Sequence, residues 1–224
     1  MKNLLTILCM SLVAFASNVK AATLQGNETL LGHAAVFSLN SSGGKGGAAF
    51  DSAWGIADIK STYSGGLLTL QPNFNTYANN VNGSAGDQAY WTNGAGGGNK
   101  WFEGSTFVEN NGYGGGALTF EFAVNSFTLD PNYSVSAWVK SFTADWGWVG
   151  MNSVGITGTG NQSVSFNAAA GIVQYGFTVS GVNANPTQES ALGSVVVAGI
   201  PEPTACSLFS LAAAGALLAR RRRA

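Results

Sequence analysis

Alternation of apolar and polar side chains is the feature that most constrains how this chain folds. Apolar residues occupy every second position at residues 118–124 and again at residues 173–179. A period of two predicts strands with one buried face and one polar face, as in antiparallel sheets packed in two layers. Between residues 22 and 199 we find no apolar pattern at helical spacing. The sequence therefore predicts an all-β domain.

Weaker runs of the same kind bring the predicted total to about eight strands. These runs lie at residues 34–39, 67–70, 101–109, 134–142, 162–167 and 194–197. Segments rich in Gly, Asn and Ser separate them and supply the positive φ angles that turns need. We expect one antiparallel β-sandwich of the jelly-roll type over residues 22–199. Two long irregular stretches, residues 41–66 and 71–100, are where such a sandwich would carry its function.

The composition supports a folded domain with an acidic surface. Hydrophobic residues make up 46% of the chain and charged residues only 9%, which argues against intrinsic disorder. Residues 22–199 contain four lysines, no arginine and ten acids, a net charge of −6. Nucleic-acid binding requires clustered cations that neutralise phosphates, so this domain is not expected to have a nucleic-acid partner.

The N-terminus has the three parts of a secretory signal peptide. Lys2 precedes an apolar stretch over residues 4–16, and small residues suited to cleavage follow at Val19 and Ala21. We expect residues 1–21 to be a signal peptide that directs export. Cleavage after Ala21 is the first choice, and a second small-x-small site ends at Ala16.

The C-terminus combines a proline motif, a short apolar segment and a basic end. Pro201, Glu202 and Pro203 precede an apolar segment at residues 205–219. The basic end consists of Arg220, Arg221, Arg222 and Arg223. A 15-residue helix rises about 22 Å, less than the roughly 30 Å of a hydrocarbon core, so it is a marginal transmembrane helix. The positive-inside rule would keep the arginines in the cytoplasm and the domain outside the inner membrane.

This tail resembles the PEP-CTERM sorting signal of Gram-negative bacteria, which is also known as the C-terminal domain of ice-binding proteins. The resemblance covers residues 200–224 and implies that an exosortase, a membrane-embedded peptidase, recognises Pro201, Glu202 and Pro203. It further implies that the apolar helix is a transient inner-membrane anchor, that the arginines are a cytoplasmic stop, and that the protein reaches the cell surface or the exopolysaccharide matrix. It implies nothing about the activity of the domain. The alternative is an ordinary C-terminal anchor with a chance Pro-Glu-Pro.

Tryptophans are the best candidates for a binding surface. The chain has six, and the apolar face of a sugar stacks on an exposed aromatic ring. Trp146 and Trp148 flank Gly147 and would point the same way in an extended chain, while Trp138 falls on the polar side of its strand. We therefore hypothesise that Trp138, Trp146 and Trp148 form a glycan-stacking surface. The competing interpretation, that these rings fill the core, is the more frequent role of tryptophans in such a domain.

The residues needed for catalysis are sparse. His33 is the only histidine, no Gly-x-Ser-x-Gly motif is present, and the ten acids of the domain are scattered. Asp130-Pro131-Asn132 has oxygen ligands of the kind that calcium takes, but without an Asp-x-Asp loop the sequence favours a plain Asx turn. We expect no enzyme activity, cofactor or metal, and a structural or adhesive role. A carbohydrate-binding module for exopolysaccharide is the alternative, followed by a secreted hydrolase.

Overall fold

The computed structural model describes residues 19–24 and 28–200, and this part of the chain is mostly β. Its strands are β1 (Lys20–Ala22), β2 (Leu31–Leu39), β3 (Lys45–Trp54), β4 (Ser61–Ser64), β5 (Leu67–Leu70), β6 (Lys100–Glu109), β7 (Gly116–Phe127), β8 (Ser134–Phe142), β9 (Trp148–Ile156), β10 (Gly160–Ala168), β11 (Ile172–Val182) and β12 (Val195–Gly199). Its helices are α1 (Asn75–Asn80), α2 (Ala85–Trp91) and α3 (Glu189–Leu192), with single 3₁₀ turns at Asn111–Tyr113 and Pro186–Gln188. The predicted all-β class is confirmed.

The strands form two sheets of six strands each. Sheet I has the order β3-β2-β6-β11-β8-β9, and every neighbouring pair is antiparallel. In sheet II, β10 pairs with one side of strand β7. The other side of β7 pairs with the short parallel strand β1 and, further along, with β12. The strand order then continues from β12 to β5 and β4.

The two sheets bury one common core. The apolar residues predicted to face inward on β7 and β11 are buried. Phe120 and Phe122 of sheet II contact Phe177 of sheet I at ring-centroid distances of 5.4 and 5.0 Å, and Phe120 lies 5.0 Å from Tyr175. The period-two pattern thus identified the faces that form the core. Within this core, burial of the Tyr175 hydroxyl, which donates to Glu28 at 2.5 Å, raises the pKa of this tyrosine.

Two stretches predicted to be irregular are structured. Residues 41–66 contain β3 and β4, and residues 71–100 contain α1 and α2. The second stretch packs over the inner face of β2 and β3. There Ala34, Val36, Ile59 and Phe102 form a separate small core, against which Trp54 and Trp91 pack. A cleft lies where this covering segment meets the β3 edge of sheet I.

Several predicted segments fall outside the described residues. They comprise most of the signal peptide and the whole tail from Pro201, including the proline motif and the four arginines. Within the described residues, no helix is long and apolar enough to cross a membrane. Lys20 and Ala21, which cleavage after Ala21 would remove, belong to β1, and Lys20 Nζ donates to the carbonyl groups of Gly112 and Gly114 at 3.0 and 2.8 Å.

Candidate functional site

A cleft of about 410 Å³ opens at the β3 edge of sheet I. Aromatic and polar side chains from four segments line it: Trp54 from the end of β3, Asp58 from the loop after it, Asn75, Asn79 and Asn80 from α1, and Trp91 from α2. The cleft therefore combines two indole rings with three amides and one carboxylate. Convergent rings and polar groups in a concave site are typical of small-molecule sites.

The two indole rings are held by a cluster of aromatic contacts. Trp54 lies 5.5 Å from Phe102, and its Nε1 donates to Ser52 Oγ at 2.7 Å. Phe50 contacts Trp54 at 6.4 Å and meets Trp91 edge to face at 6.2 Å. Both tryptophans are half-buried, so each has one side packed against protein and another that lines the cleft. Rings supported in this way are positioned before any ligand arrives.

A buried asparagine connects the helices of the cleft to sheet I. Asn183, which is 1% exposed, accepts hydrogen bonds from the backbone N–H groups of Asn99 and Lys100 at 3.1 and 3.0 Å. Its amide donates to Trp91 O at 2.9 Å and to Thr76 Oγ1 at 3.1 Å. Asn183 therefore uses all of its side-chain hydrogen-bonding capacity to connect α1, α2 and β6.

A second asparagine extends this network to the other side of the cleft. Asn73 Oδ1 accepts from both the backbone N–H and the hydroxyl of Thr76, at 3.0 and 2.8 Å. Asn73 Nδ2 donates to Asp58 O at 2.8 Å, and Asn75 Nδ2 donates to Ala57 O at 2.8 Å. The loop that carries Asp58 and the helix that carries the cleft amides are thus joined. Satisfied buried networks of this kind are rigid.

The charges in the cleft bear on its chemistry. Asp58 is the one acidic or basic side chain among the residues that line it, whereas glycoside hydrolysis uses a pair of opposed carboxylates. His33, the only histidine, lies on β2, 3.6 Å from the exposed Asp51. The described residues contain no group of three His, Cys, Asp or Glu side chains that could hold a metal ion. The residues that line the cleft therefore offer two indole rings and three amide groups, with a single negative charge.

The structure places Trp146 and Trp148 on the surface, as predicted. They are 55% and 59% exposed, and both contact Phe142, at ring-centroid distances of 5.6 and 5.4 Å. Trp146 lies in the turn between β8 and β9, with a φ of 68° instead of extended backbone, and Trp148 is the first residue of β9. We refer to Phe142, Trp146 and Trp148 as the aromatic turn.

Hydrogen bonds to Thr143 hold the aromatic turn. The backbone N–H of Thr143 donates to Gly147 O at 2.8 Å, that of Trp146 donates to Thr143 O at 3.0 Å, and that of Gly147 donates to Thr143 Oγ1 at 2.8 Å. The Thr143 hydroxyl donates to Asp145 and holds the pKa of that exposed carboxyl below its ordinary value. A left-handed φ is costly for a bulky residue, so the turn maintains the tryptophan in a conformation that an unconstrained chain would avoid.

The prediction that Trp138 joins an exposed aromatic surface is wrong. Trp138 is only 3% exposed. Phe107 packs beside its ring at 5.7 Å, Lys140 Nζ lies 3.9 Å above it, and its Nε1 donates to Thr178 Oγ1 at 2.8 Å. Burial lowers the pKa of Lys140, against the opposing effect of the nearby Glu103 carboxylate. Trp138 does lie on the face of β8 away from the common core, but these neighbours cover it.

Sequence reasoning missed the cleft. Trp54 and Trp91 are two of the six tryptophans, but nothing local distinguishes them from the other four. The available signals were their positions in the two long stretches, residues 41–66 and 71–100, and the asparagines at 75, 79 and 80.

Comparisons with models of known protein families, with curated proteins and with solved structures found no match.

Proposed function

We propose that this is an exported bacterial protein of the cell surface or exopolysaccharide matrix, with a non-catalytic adhesive role, and that it binds neutral polysaccharide in the cleft. The observation that carries the proposal is the pairing of Trp54 and Trp91 with three asparagine amides in one concave site. The two sheets and their common core are, on this proposal, the layers of a β-sandwich.

The chemistry of the cleft matches that of a sugar. Pyranose rings have an apolar face of C–H groups, which stacks on an indole ring, and a rim of hydroxyls, which bond to amide groups. An anionic glycan would meet Asp58 and no cation among the residues that line the cleft. Coulomb repulsion therefore favours neutral over acidic polysaccharide.

Export and sorting rest on the two ends of the chain. The signal peptide would direct the chain out of the cytoplasm, and the PEP-CTERM-like tail would hold it in the inner membrane until an exosortase processes it. Cleavage of the signal after Ala16, the second site, would retain the whole of β1 and its contacts with β7. Cleavage after Ala21 would instead remove Lys20 and Ala21 from β1, so the site after Ala16 suits the fold better.

Replacing Asn79 with arginine is expected to weaken oligosaccharide binding at least tenfold. Asn79 is exposed at the mouth of the cleft, so a long side chain there occludes the cleft and leaves the core unchanged. Isothermal titration of the purified domain with cellohexaose, mannohexaose and hexagalacturonic acid would measure this, with binding to at least one neutral oligomer expected for the unmodified domain. Trp54→Ala should have a similar effect, since losing about 1.4 kcal/mol of ring contact is already a tenfold change.

Two controls accompany this measurement. Trp101→Phe changes a tryptophan of β6 that does not line the cleft and should bind as the unmodified domain does. Thermal unfolding of each variant would confirm that Asn79→Arg remains folded. Equal affinity of Asn79→Arg and the unmodified domain for every oligomer, or no binding of either neutral oligomer by the unmodified domain, would contradict the proposed function.

Changes to the proline motif and to the arginines are expected to cause different sorting defects. Serine at positions 220–223 removes charges that each cost a few kcal/mol to place within the bilayer, so full-length protein should escape outward. Alanine at positions 201 and 203 keeps the apolar helix and its charges, so unprocessed protein should accumulate in the inner membrane. Cell fractionation in a host that carries the cognate peptidase would distinguish the two. Normal trimming and release of the proline variant would identify the tail as an ordinary anchor.

A further inference from the structure

We propose that the protein cross-links polysaccharide, because the aromatic turn forms a second glycan contact, remote from the cleft. The inference rests on the proposed function for the cleft and adds to it a second site of the same ligand class. The turn offers two indole rings, each more than half exposed, which share one supporting phenylalanine. An exposed pair of rings without surrounding walls suits the flat face of an extended polymer better than a short oligosaccharide.

The aromatic turn is built to hold its rings in place. Hydrogen bonds of Thr143 close the turn, and both the backbone N–H and the side-chain oxygen of Thr143 bond directly to Gly147, the residue before Trp148. A ring that is fixed before binding loses little conformational entropy on contact. Asp145 is the only charged side chain between residues 141 and 156. Lys140, on the same face of β8 as Phe142, lies 3.9 Å above the Trp138 ring, so the turn itself carries a single charge, as the lining of the cleft does.

The strand order of sheet I puts the two sites at opposite edges. Trp54 ends β3, one outermost strand, and Trp148 begins β9, the other. Five intervals of about 4.8 Å separate these strands, or about 24 Å.

The pairing registers add a separation along the strands. The row of paired residues that starts at Trp54 reaches β9 at Val154, by way of Gly32, Thr106, Phe177 and Ala137. Val154 is six residues from Trp148, which is about 20 Å of strand. The two sites are thus about 30 Å apart.

The two sites also face different sides of sheet I. Trp54 packs against the separate small core, on the inner face of sheet I. Phe142 lies on the same face of β8 as Trp138 and Lys140, which is the face away from the common core. A short glycan segment cannot contact both sites at once. One protein molecule can instead hold two chains, or two distant parts of one chain, and many such molecules would join a polymer network.

A bridging assay tests this inference. Beads coated with hydroxyethylcellulose or galactomannan, both neutral polymers, are incubated with the domain and with the same polymer carrying a fluorescent label, and the captured label is measured. We expect capture to rise and then fall as protein is added, because excess protein occupies each chain separately. Trp146→Ala with Trp148→Ala should reduce peak capture at least tenfold and leave oligosaccharide affinity at the cleft unchanged. Met151→Ala, a change at an exposed apolar residue of β9 close to the turn, is the matched control and should bridge normally.

The possible results separate this inference from the proposed function. If Asn79→Arg loses oligosaccharide binding while the double tryptophan variant bridges as well as the unmodified domain, the cleft is a binding site and the cross-linking inference is overturned. Loss of oligosaccharide affinity in the double tryptophan variant would also overturn it, since the two sites would then be one. An equal loss of bridging in Met151→Ala would overturn it by indicating general apolar adhesion. Unchanged oligosaccharide binding by Asn79→Arg would instead refute the proposed cleft function.

Discussion

Asn183→Ala is expected to lower the free energy of unfolding by about 3 kcal/mol and to weaken oligosaccharide binding at the cleft. The substitution removes four hydrogen bonds from a buried site. Leaving a buried donor or acceptor without its partner costs roughly 1–3 kcal/mol, which is more than the bond contributes when it is formed. Urea unfolding monitored by tryptophan fluorescence would measure the loss. Asn161→Ala, at an exposed position of β10, is the matched control and should change stability by less than about 0.5 kcal/mol.

Asn183→Asp separates hydrogen bonding from packing, since it keeps the shape of the side chain. The new carboxylate would face the Trp91 carbonyl group, to which the asparagine amide now donates. Burial and this acceptor would raise the pKa of the aspartate in the folded state above its unfolded value of about 3.9. The folded state would then bind the proton more tightly than the unfolded state does. The free energy of unfolding of the variant should therefore rise, relative to that of the unmodified domain, as the pH falls through the folded pKa. It should fall again as the pH rises through that value. A difference in stability that is constant from pH 4 to 8 would show that Asn183 acts through packing alone.

Phe177→Ala is expected to destabilise the domain by about 3–5 kcal/mol, the usual cost of truncating a fully buried phenylalanine. Phe177 lies on β11 in the middle of sheet I and contacts Phe120 and Phe122 of sheet II. Truncation leaves a cavity at the junction between the sheets, and the surrounding side chains cannot fully collapse into it. The midpoint of urea unfolding should fall accordingly.

Two further variants define the origin of that loss. Phe177→Leu restores most of the volume and should recover more than half of the stability lost in Phe177→Ala. Trp148→Ala removes a larger ring from an exposed position and should cost much less. Equal destabilisation by Phe177→Ala and Trp148→Ala would mean that the two sheets do not depend on this contact.

All eight predicted strands are present, and two of them, at residues 67–70 and 134–142, have the predicted bounds. They were recognisable because one of their faces is buried, so their side chains alternate. β3 and β9 were missed because they are the outermost strands of sheet I and are exposed along most of their length. A strand that is exposed along most of its length has little reason to alternate. β4 was missed because its four residues are too few to establish a period.

The helices of the cleft were also invisible in the sequence. α1 and α2 have six and seven residues, so neither is long enough to show an apolar stripe, and isolated helices of this length are unstable in water. Hydrogen bonds from Asn183, about a hundred residues away in the chain, hold them in place. No local pattern predicts a partner at that distance.

The sequence by itself determined which side of each regular strand faces the common core and showed the scarcity of catalytic groups, because periodicity and composition can be read without knowing the fold. The signal peptide and the sorting tail stay predictions from the motifs at the two ends of the chain. The tertiary structure alone decided which side chains meet. Trp138 has the phase of an exposed residue, yet Phe107 of a strand two places away in sheet I covers it. Trp54 and Trp91 face one cleft because α2 packs over β3. Such contacts depend on pairing register and packing between segments distant in the chain, and neither leaves a local trace.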